Sequence, residues 1–216
     1  MKIFTRIIPF VVSVFFLGCS SSVQMTATYT APEIKAENTC NNIFISGVFA
    51  GDTARKLLEE AVETELQEEG VSSLASHEIW AGTPEDIDLS SEALFKTLDA
   101  AEKDAILTVS VLAGDSESRF VQRGVTYEPI TMNPWYRTYD GYYNHVGRVV
   151  YNPGYYASGK DYFVEINLYD VDSQELIWSA QTNTYITADL ITLTENLADL
   201  IVDELEEEQL ILDNEA

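Results

Sequence analysis

The sequence predicts a mixed α/β fold, an α+β sandwich in which helices pack on a mixed sheet of about five strands. In the first half of the chain, short β-branched runs alternate with amphipathic helical segments, a pattern typical of strands joined by helical crossovers. Near the C-terminus, two alternating runs over 161–171 and 175–186 are separated by three turn residues and predict an antiparallel hairpin. The roughly 175 residues that begin at the first predicted strand suit one domain.

The first strand is predicted over 42–49, where NIFISGVF is β-branched and aromatic. A helix follows it, because apolar residues recur at helical spacing up to a stop at Gly70: Leu57, Leu58, Ala61, Val62 and Leu66. The run 71–80 predicts a second strand, parallel to the first because a helix connects them. A short helix is expected over 91–99, and the apolar run 105–112 predicts a central strand.

The C-terminal hairpin turns at 172–174, and a last helix follows it. Thr192 and Glu195 form a candidate capping box for this helix. Its apolar face is predicted from spacing: Leu193, Leu197, Leu200, Ile201 and Leu205. The segment from Asp170 to Glu175 also resembles a calcium loop, but it lacks the glycine and distal glutamate of the EF-hand pattern, so a hairpin turn explains it better.

An aromatic insertion separates the central strand from the hairpin and spans 114–160. Residues 132–156 hold eight aromatic side chains, all Tyr or Trp, among Gly, Pro and Asn. This composition is typical of binding surfaces, where rigid amphipathic rings supply contact area at low entropy cost. The residues predicted to contact a partner are Trp135, Tyr136, Tyr139, Tyr142, Tyr143, Tyr155 and Tyr156.

Two other interpretations of the insertion remain open. It could be a long β-hairpin whose rings cover one face of the sheet, with Arg148–Tyr151 as a return strand against 120–127. It could also be disordered, although so many large rings are unusual in a disordered segment. The composition of 132–156 does not favour a core, where Leu, Ile, Val and Phe would be expected in place of Tyr, because a buried hydroxyl costs free energy unless it is paired.

The N-terminus has the pattern of a secretory signal. Lys2 and Arg6 precede an apolar run from Ile7 to Leu17 that is too short to span a bilayer. Phe16-Leu17-Gly18-Cys19 resembles the bacterial lipobox, with Phe16 a mild departure. The resemblance implies cleavage after residue 18, lipidation of Cys19 and, because Ser20 rather than Asp follows, sorting to the outer membrane. The alternative is a small N-terminal membrane anchor.

These features divide the chain into a signal peptide (1–18), a lipidated cysteine with a flexible tether (19–41) and one periplasmic α/β domain (42–212). The sequence has 36 acids against 12 Lys and Arg, a formal net charge of −24. Nucleic acid is therefore a poor partner. The insertion differs, since 114–160 holds five basic and four acidic residues.

Cys40 has no disulfide partner once Cys19 is lipidated, because the chain has only two cysteines. A small buried side chain near the first strand is the favoured interpretation. A catalytic thiol or an intermolecular disulfide is the alternative.

No nucleophile-elbow, phosphate-loop, dinucleotide-binding or metalloprotease spacing is present. The two histidines, His77 and His145, are far apart in sequence and no cysteine cluster accompanies them, so no metal site and no cofactor are predicted. We also expect no catalytic residues. With so many acids, a paired-carboxylate hydrolase of envelope polysaccharide remains the alternative.

The segments AEKDAILTVSV and YFVEINLYDVDSQELIWSAQT are similar to a pattern shared by several bacterial lipoprotein families. Its signature positions here are Asp104, Ala105, Leu168, Asp170, Ser173 and Trp178, while Glu102-Lys103 replaces the usual glycine. Those families include uncharacterised envelope lipoproteins, penicillin-binding-protein activator lipoproteins and the curli-secretion lipoprotein. The resemblance implies a non-enzymatic periplasmic domain.

The sequence thus predicts a non-catalytic outer-membrane lipoprotein that faces the periplasm. Its aromatic insertion is expected to bind an envelope partner: a protein, a second copy of the chain or peptidoglycan glycan.

Overall fold

The computed structural model describes residues 23–32, 39–49, 51–79, 92–113, 120–151, 162–184 and 190–212. The strands are β1 (Val23–Thr30), β2 (Asn42–Val48), β3 (Ser72–Ala75), β4 (Ala105–Ala113), β5 (Tyr162–Asp170) and β6 (Leu176–Thr184). The helices are α1 (Asp52–Glu68), α2 (Ser76–Ile79), α3 (Glu92–Ala100), α4 (Pro129–Met132), α5 (Tyr139–Val150) and α6 (Leu190–Glu207), with a 3-10 helix at Pro134–Arg137. The predicted mixed α/β class is confirmed.

The six strands form one mixed sheet in the order β1-β6-β5-β4-β2-β3. β2 is parallel to both β3 and β4, and the remaining pairs are antiparallel. The parallel crossover and the C-terminal hairpin are therefore confirmed. At the hairpin turn, Asp170 Oδ1 accepts hydrogen bonds from the backbone N–H and the hydroxyl of Ser173, at 2.7 and 2.6 Å. The aspartate thus caps a turn, as predicted.

β1 corrects the prediction of a flexible tether over 19–41. Val23–Thr30 forms an edge strand antiparallel to β6, with Val23 opposite Thr184. The segment has few large apolar residues, which suggested a tether. An edge strand needs few large apolar residues, and most side chains of β1 are only partly buried. Its Thr, Val and Tyr residues favour the extended backbone.

In its described part, residues 120–151, the aromatic insertion is helical and not hairpin-like, and Arg148–Tyr151 forms no return strand. α5 has buried residues at helical spacing: Tyr139, Tyr142, Tyr143, Val146 and Val150. The Thr138 hydroxyl caps the helix by accepting a hydrogen bond from Gly141 N at 3.2 Å. Gly141 allows a close approach, since a Cβ there would lie 2.8 Å from the Trp135 carbonyl oxygen.

Two other boundaries differ from the predictions. The strand expected over 71–80 ends at Ala75, where α2 begins. α6 begins at Leu190, so Thr192 lies inside the helix and not at its N-cap.

Helices cover both faces of the sheet. α1 and α6 pack on one face with the apolar side chains of the strands, among them Ile45, Val109, Ile166 and Trp178. α3, the 3-10 helix and α5 cover the opposite face. Within the described ranges, none of the helices combines the length and the hydropathy that a bilayer crossing requires.

Candidate functional site

Three neighbouring strands present polar side chains on the face that the insertion covers. Successive side chains of a strand point to opposite faces, so residues two apart share one face. All six are fully buried: Thr108 and Ser110 on β4, Glu165 and Asn167 on β5, and Ser179 and Gln181 on β6. Buried polar groups cost free energy unless they are hydrogen-bonded, so this face requires a polar cover.

The tyrosines of the insertion supply that cover. Tyr136 OH donates to Glu165 Oε1 at 2.7 Å, and Tyr142 OH donates to Glu165 Oε2 at 3.1 Å. Gln181 Nε2 donates to Glu165 Oε1 at 3.0 Å, and Tyr127 OH is 3.4 Å from the same oxygen. We call these five residues the Glu165 cluster. It joins the insertion to β5 and β6 at one carboxyl group.

Further hydrogen bonds extend the network across the sheet. Tyr127 OH lies 2.8 Å from Ser179 Oγ, which donates to Asn167 Oδ1 at 2.6 Å. Tyr142 OH is 3.0 Å from Ser110 Oγ. These hydroxyl groups are therefore paired, and large rings with a hydroxyl suit this face better than Leu or Phe would.

The pKa of Glu165 is raised to about 7, because burial penalises the carboxylate more than its hydrogen bonds from Tyr136, Gln181, Tyr142 and Tyr127 favour it. Burial and the neighbouring Glu165 raise the pKa of Tyr127 and of Tyr142 well above 10. Both tyrosines thus remain hydrogen-bond donors at neutral pH. Since Glu165 is fully buried, the arrangement holds two layers together and offers no surface to a substrate.

A second buried charged group lies between α1 and the carboxyl ends of β2 and β3. Glu59 accepts hydrogen bonds from Gly47 N at 2.8 Å, from Ser76 Oγ at 2.6 Å and from His77 N at 3.0 Å. Arg55 Nη1 donates to Ser76 Oγ at 2.9 Å and lies 3.8 Å from Glu59 Oε1. Both charged side chains are almost fully buried.

The carboxyl ends of parallel strands are a common place for ligands in α/β folds. Here, however, the polar groups bond to one another. The His77 ring adds Nδ1 at 2.8 Å from Glu59 Oε2. The group therefore ties α1 to β2 and α2. Among the residues that the structure describes, no three His, Cys, Asp or Glu side chains are grouped to hold a metal ion.

The rings predicted to contact a partner lie mostly in the core. Tyr136, Tyr139 and Tyr142 are 0% exposed and Tyr143 is 6% exposed. These four are corrected to core residues, since a ring packed under the insertion offers no area to a partner. Tyr155 and Tyr156 lie outside the described residues.

Trp135 occupies an intermediate position. Its ring stacks on Tyr136 and on His145, with centroids 4.1 and 4.2 Å apart, and is partly buried. Arg137 and Arg148 are exposed, and Met132 is 38% exposed. We call Met132, Trp135, Arg137 and Arg148 the outer surface of the insertion. It combines apolar groups with positive charge in an otherwise acidic chain.

Cys40 is buried, as predicted, with 5% exposure. Burial, with a smaller effect of Asp104 and Asp170, raises the pKa of its thiol to about 12. It therefore carries no thiolate at neutral pH, which argues against the catalytic alternative.

A shallow groove of about 490 Å³ lies between α1 and α6. Its lining includes four acids: Glu60, Glu65, Glu195 and Asp199. Burial, and then the charges of Asp199 and other nearby acids, raise the pKa of Glu65. The groove is thus an acidic surface, opposite in sign to the outer surface of the insertion.

The sequence prediction missed Glu165 and its partners. A signal was present, since each of three strands carries two polar residues two positions apart. The tyrosines of the insertion offered the complementary hydroxyls.

No protein-family model matches this chain. No curated protein sequence matches it either.

Among solved structures, the chain is similar to a PelC dodecamer from Paraburkholderia phytofirmans, with 10% sequence identity and a TM-score of 0.41 over 87% of this chain and 97% of that one. A single-residue variant of that dodecamer gives 10% identity and a TM-score of 0.40 over 83% and 96%. Similarity at this level does not transfer a function.

Proposed function

We propose that this chain is a non-catalytic outer-membrane lipoprotein that faces the periplasm and binds an envelope partner through the outer surface of its insertion. The partner is a protein, a second copy or peptidoglycan. The observation that carries the binding proposal is that the insertion has a side bonded to the sheet and a side with exposed positive charge. The hydroxyls of Tyr136 and Tyr142 bond to Glu165 on the buried sheet face, whereas Arg137 and Arg148 are exposed.

The lipobox supports the location. Cys19 follows a basic and apolar leader of signal-peptide length. A chain with this leader and a lipidated cysteine is held at a membrane by its acyl chains, each methylene contributing about 0.8 kcal/mol.

The internal use of the buried carboxylates supports a non-catalytic role over the hydrolase alternative. Glu59 and Glu165 are both fully buried, and the oxygens of each accept hydrogen bonds from the domain itself. A hydrolase needs carboxyl groups on either side of an accessible bond.

Anchoring is tested with Cys19→Ala. Removing the thiol removes the lipid attachment site, so we expect an uncleaved or released precursor in place of a processed outer-membrane form. Fractionation and mass spectrometry of the N-terminus measure this. A variant that is still processed and still fractionates with outer membrane would contradict the proposal.

Partner binding is tested with Arg137→Glu combined with Arg148→Glu. The matched control is Lys56→Glu combined with Lys96→Glu, which makes the same charge change on exposed parts of α1 and α3. Three measurements distinguish the partners: co-sedimentation with purified peptidoglycan, sedimentation velocity for self-association and cross-linking in isolated envelopes. We expect the binding seen in one of these three measurements to fall at least tenfold in the arginine variant and not in the lysine variant. The melting temperature of the arginine variant should be unchanged. Equal binding by both variants would refute the role of the insertion.

A further inference from the structure

The register of β1 places the start of the described chain at one end of the sheet. Val23 is opposite Thr184, and Thr182 is opposite Val164. Val164 in turn is opposite Val111, near the end of β4. We call this end, where β1 and β5 begin and where β2, β4 and β6 finish, the anchor end.

Both long helices run away from the anchor end. α1 follows β2 and α6 follows β6, so each begins where its preceding strand finishes. α6 reaches the opposite end, because Thr30 Oγ1, at the end of β1, donates to Glu208 Oε2 at 2.9 Å. α1 does so as well, since Val71, just before β3, donates its N–H to Leu66 O at 2.8 Å.

Only four peptide steps separate Cys19 from Val23. A fully extended chain advances at most about 3.6 Å per residue, so the Cα atoms of these residues are at most about 14 Å apart. A lipid on Cys19 therefore keeps the anchor end at the bilayer surface, whatever the conformation of the linking residues.

The acidic charge is concentrated away from that end. In α1 and the residue after it, 52–60 carry one formal net negative charge and 61–69 carry four. In α6 and the residue after it, 190–198 carry one and 199–208 carry six. An anionic lipid surface repels acids within about a Debye length, so this distribution favours the same orientation as the short linker.

We propose that the domain stands upright on the membrane, with its anchor end against the lipid surface and the acidic ends of α1 and α6 directed away from it. This orientation rests on the lipid anchor proposed above. It leaves the acidic end as the part of the domain farthest from the bilayer.

Two single-cysteine variants of the lipidated full chain test the orientation: Ile191→Cys and Glu207→Cys. Both positions are exposed, and they lie at opposite ends of α6, about 24 Å apart at 1.5 Å per residue. Cys40 is buried with a pKa of about 12, so a fluorophore reacts at the introduced thiol. The probe is an anionic phosphatidylglycerol-containing vesicle with a headgroup quencher.

We expect the label at position 191 to be quenched several-fold more than the label at position 207. Equal quenching, or stronger quenching at position 207, would overturn the orientation. Insertion of about twelve Gly and Ser residues before Val23 lengthens the tether and should reduce the difference between the labels.

Flotation with the vesicles and the mass of the N-terminus are measured on the same samples. A chain that is lipidated and floats but shows no difference between labels disproves the orientation alone. A chain that does not float, or in which Cys19 takes the fluorophore, disproves the anchor and the orientation with it.

Discussion

The sheet face under α1 and α6 and the face under the insertion belong to the same strands but are held by different interactions. The strand side chains that α1 and α6 cover are apolar, such as Val109, Ile166 and Trp178. Under the insertion, Glu165 and its neighbours are hydrogen-bonded to tyrosines. The first face needs only volume and apolar surface, whereas the second also needs hydrogen-bond donors for its polar groups.

This difference explains the tyrosines at three positions of the insertion: Tyr127, Tyr136 and Tyr142. A tyrosine ring fills space as phenylalanine does, and its hydroxyl meets a polar group that would otherwise be buried unpaired. A polar network of this kind stabilises the fold only when its members are satisfied together. We therefore expect the two faces to respond differently to mutation and to pH.

The largest effect is expected on the apolar face. Trp178→Ala removes a fully buried ring and should lower the free energy of unfolding by about 3–5 kcal/mol. Ile191→Ala is the control, since Ile191 is 56% exposed, and should change it by about 0.5 kcal/mol or less. Urea denaturation measures both. A loss for Trp178→Ala no larger than that of the control would show that the apolar face does not carry the core.

A smaller effect, of pH, distinguishes the faces because Glu165 lies on one of them. Its carboxyl keeps a proton to about pH 7 in the folded protein and to about 4.5 in the unfolded chain. Because the folded protein binds this proton more tightly than the unfolded chain does, protonation of Glu165 stabilises the fold. This contribution to the free energy of unfolding is complete below about pH 4.5 and is lost as the pH rises to about 7. A shift of this size corresponds to about 3 kcal/mol.

Glu165→Gln should remove this part of the pH dependence, since an amide does not titrate, while Glu92→Gln on exposed α3 should not. Several other acids also have a raised pKa and add to the slope in both proteins: Glu63, Glu65, Asp104, Asp203 and Glu204. The measurement is therefore the difference in unfolding free energy between parent and variant at pH 5 and pH 8. A difference that is the same at both values would disprove the role of Glu165.

The smallest effect compares two hydroxyls on the polar face. Tyr142→Phe removes a donor to Glu165 and should cost about 1–3 kcal/mol at pH 8, where the carboxylate is charged. Tyr169→Phe is the matched control, because its buried hydroxyl has no hydrogen-bond partner among the described residues. The centroids of the Tyr169 and Tyr142 rings are 6.0 Å apart. Chemical denaturation of both variants should show a loss for Tyr142→Phe only; equal losses would mean that the hydroxyls contribute alike.

Much of the fold could be predicted from the sequence where a local pattern determines the structure. α1 was recognisable from the spacing of Leu58, Val62 and Leu66, all of which are buried. The β5–β6 hairpin was recognisable because both strands alternate around a short turn. In these segments, local periodicity and tertiary packing favour the same structure.

The Glu165 cluster could not be predicted in the same way. The four partners of Glu165 lie in four different segments of the chain, so the pairing of Tyr136 and Tyr142 with Glu165 depends on long-range packing. Glycines and tyrosines also disfavour a helix locally, and the apolar spacing of α5 outweighs that preference. The same limit applies to β1, whose structure depends on a partner strand at the far end of the sequence.

The pairing of β1 with β6 also has a consequence for the order in which a chain made from its N-terminus completes its fold. Of the six strands, β1 is synthesised first and its partner β6 is synthesised last. The sheet therefore closes only after nearly the whole polypeptide has been made, which is a slow, high-contact-order step. β1 contains no charged residue and no proline, so until β6 is available this unpaired strand is open to pairing with other chains.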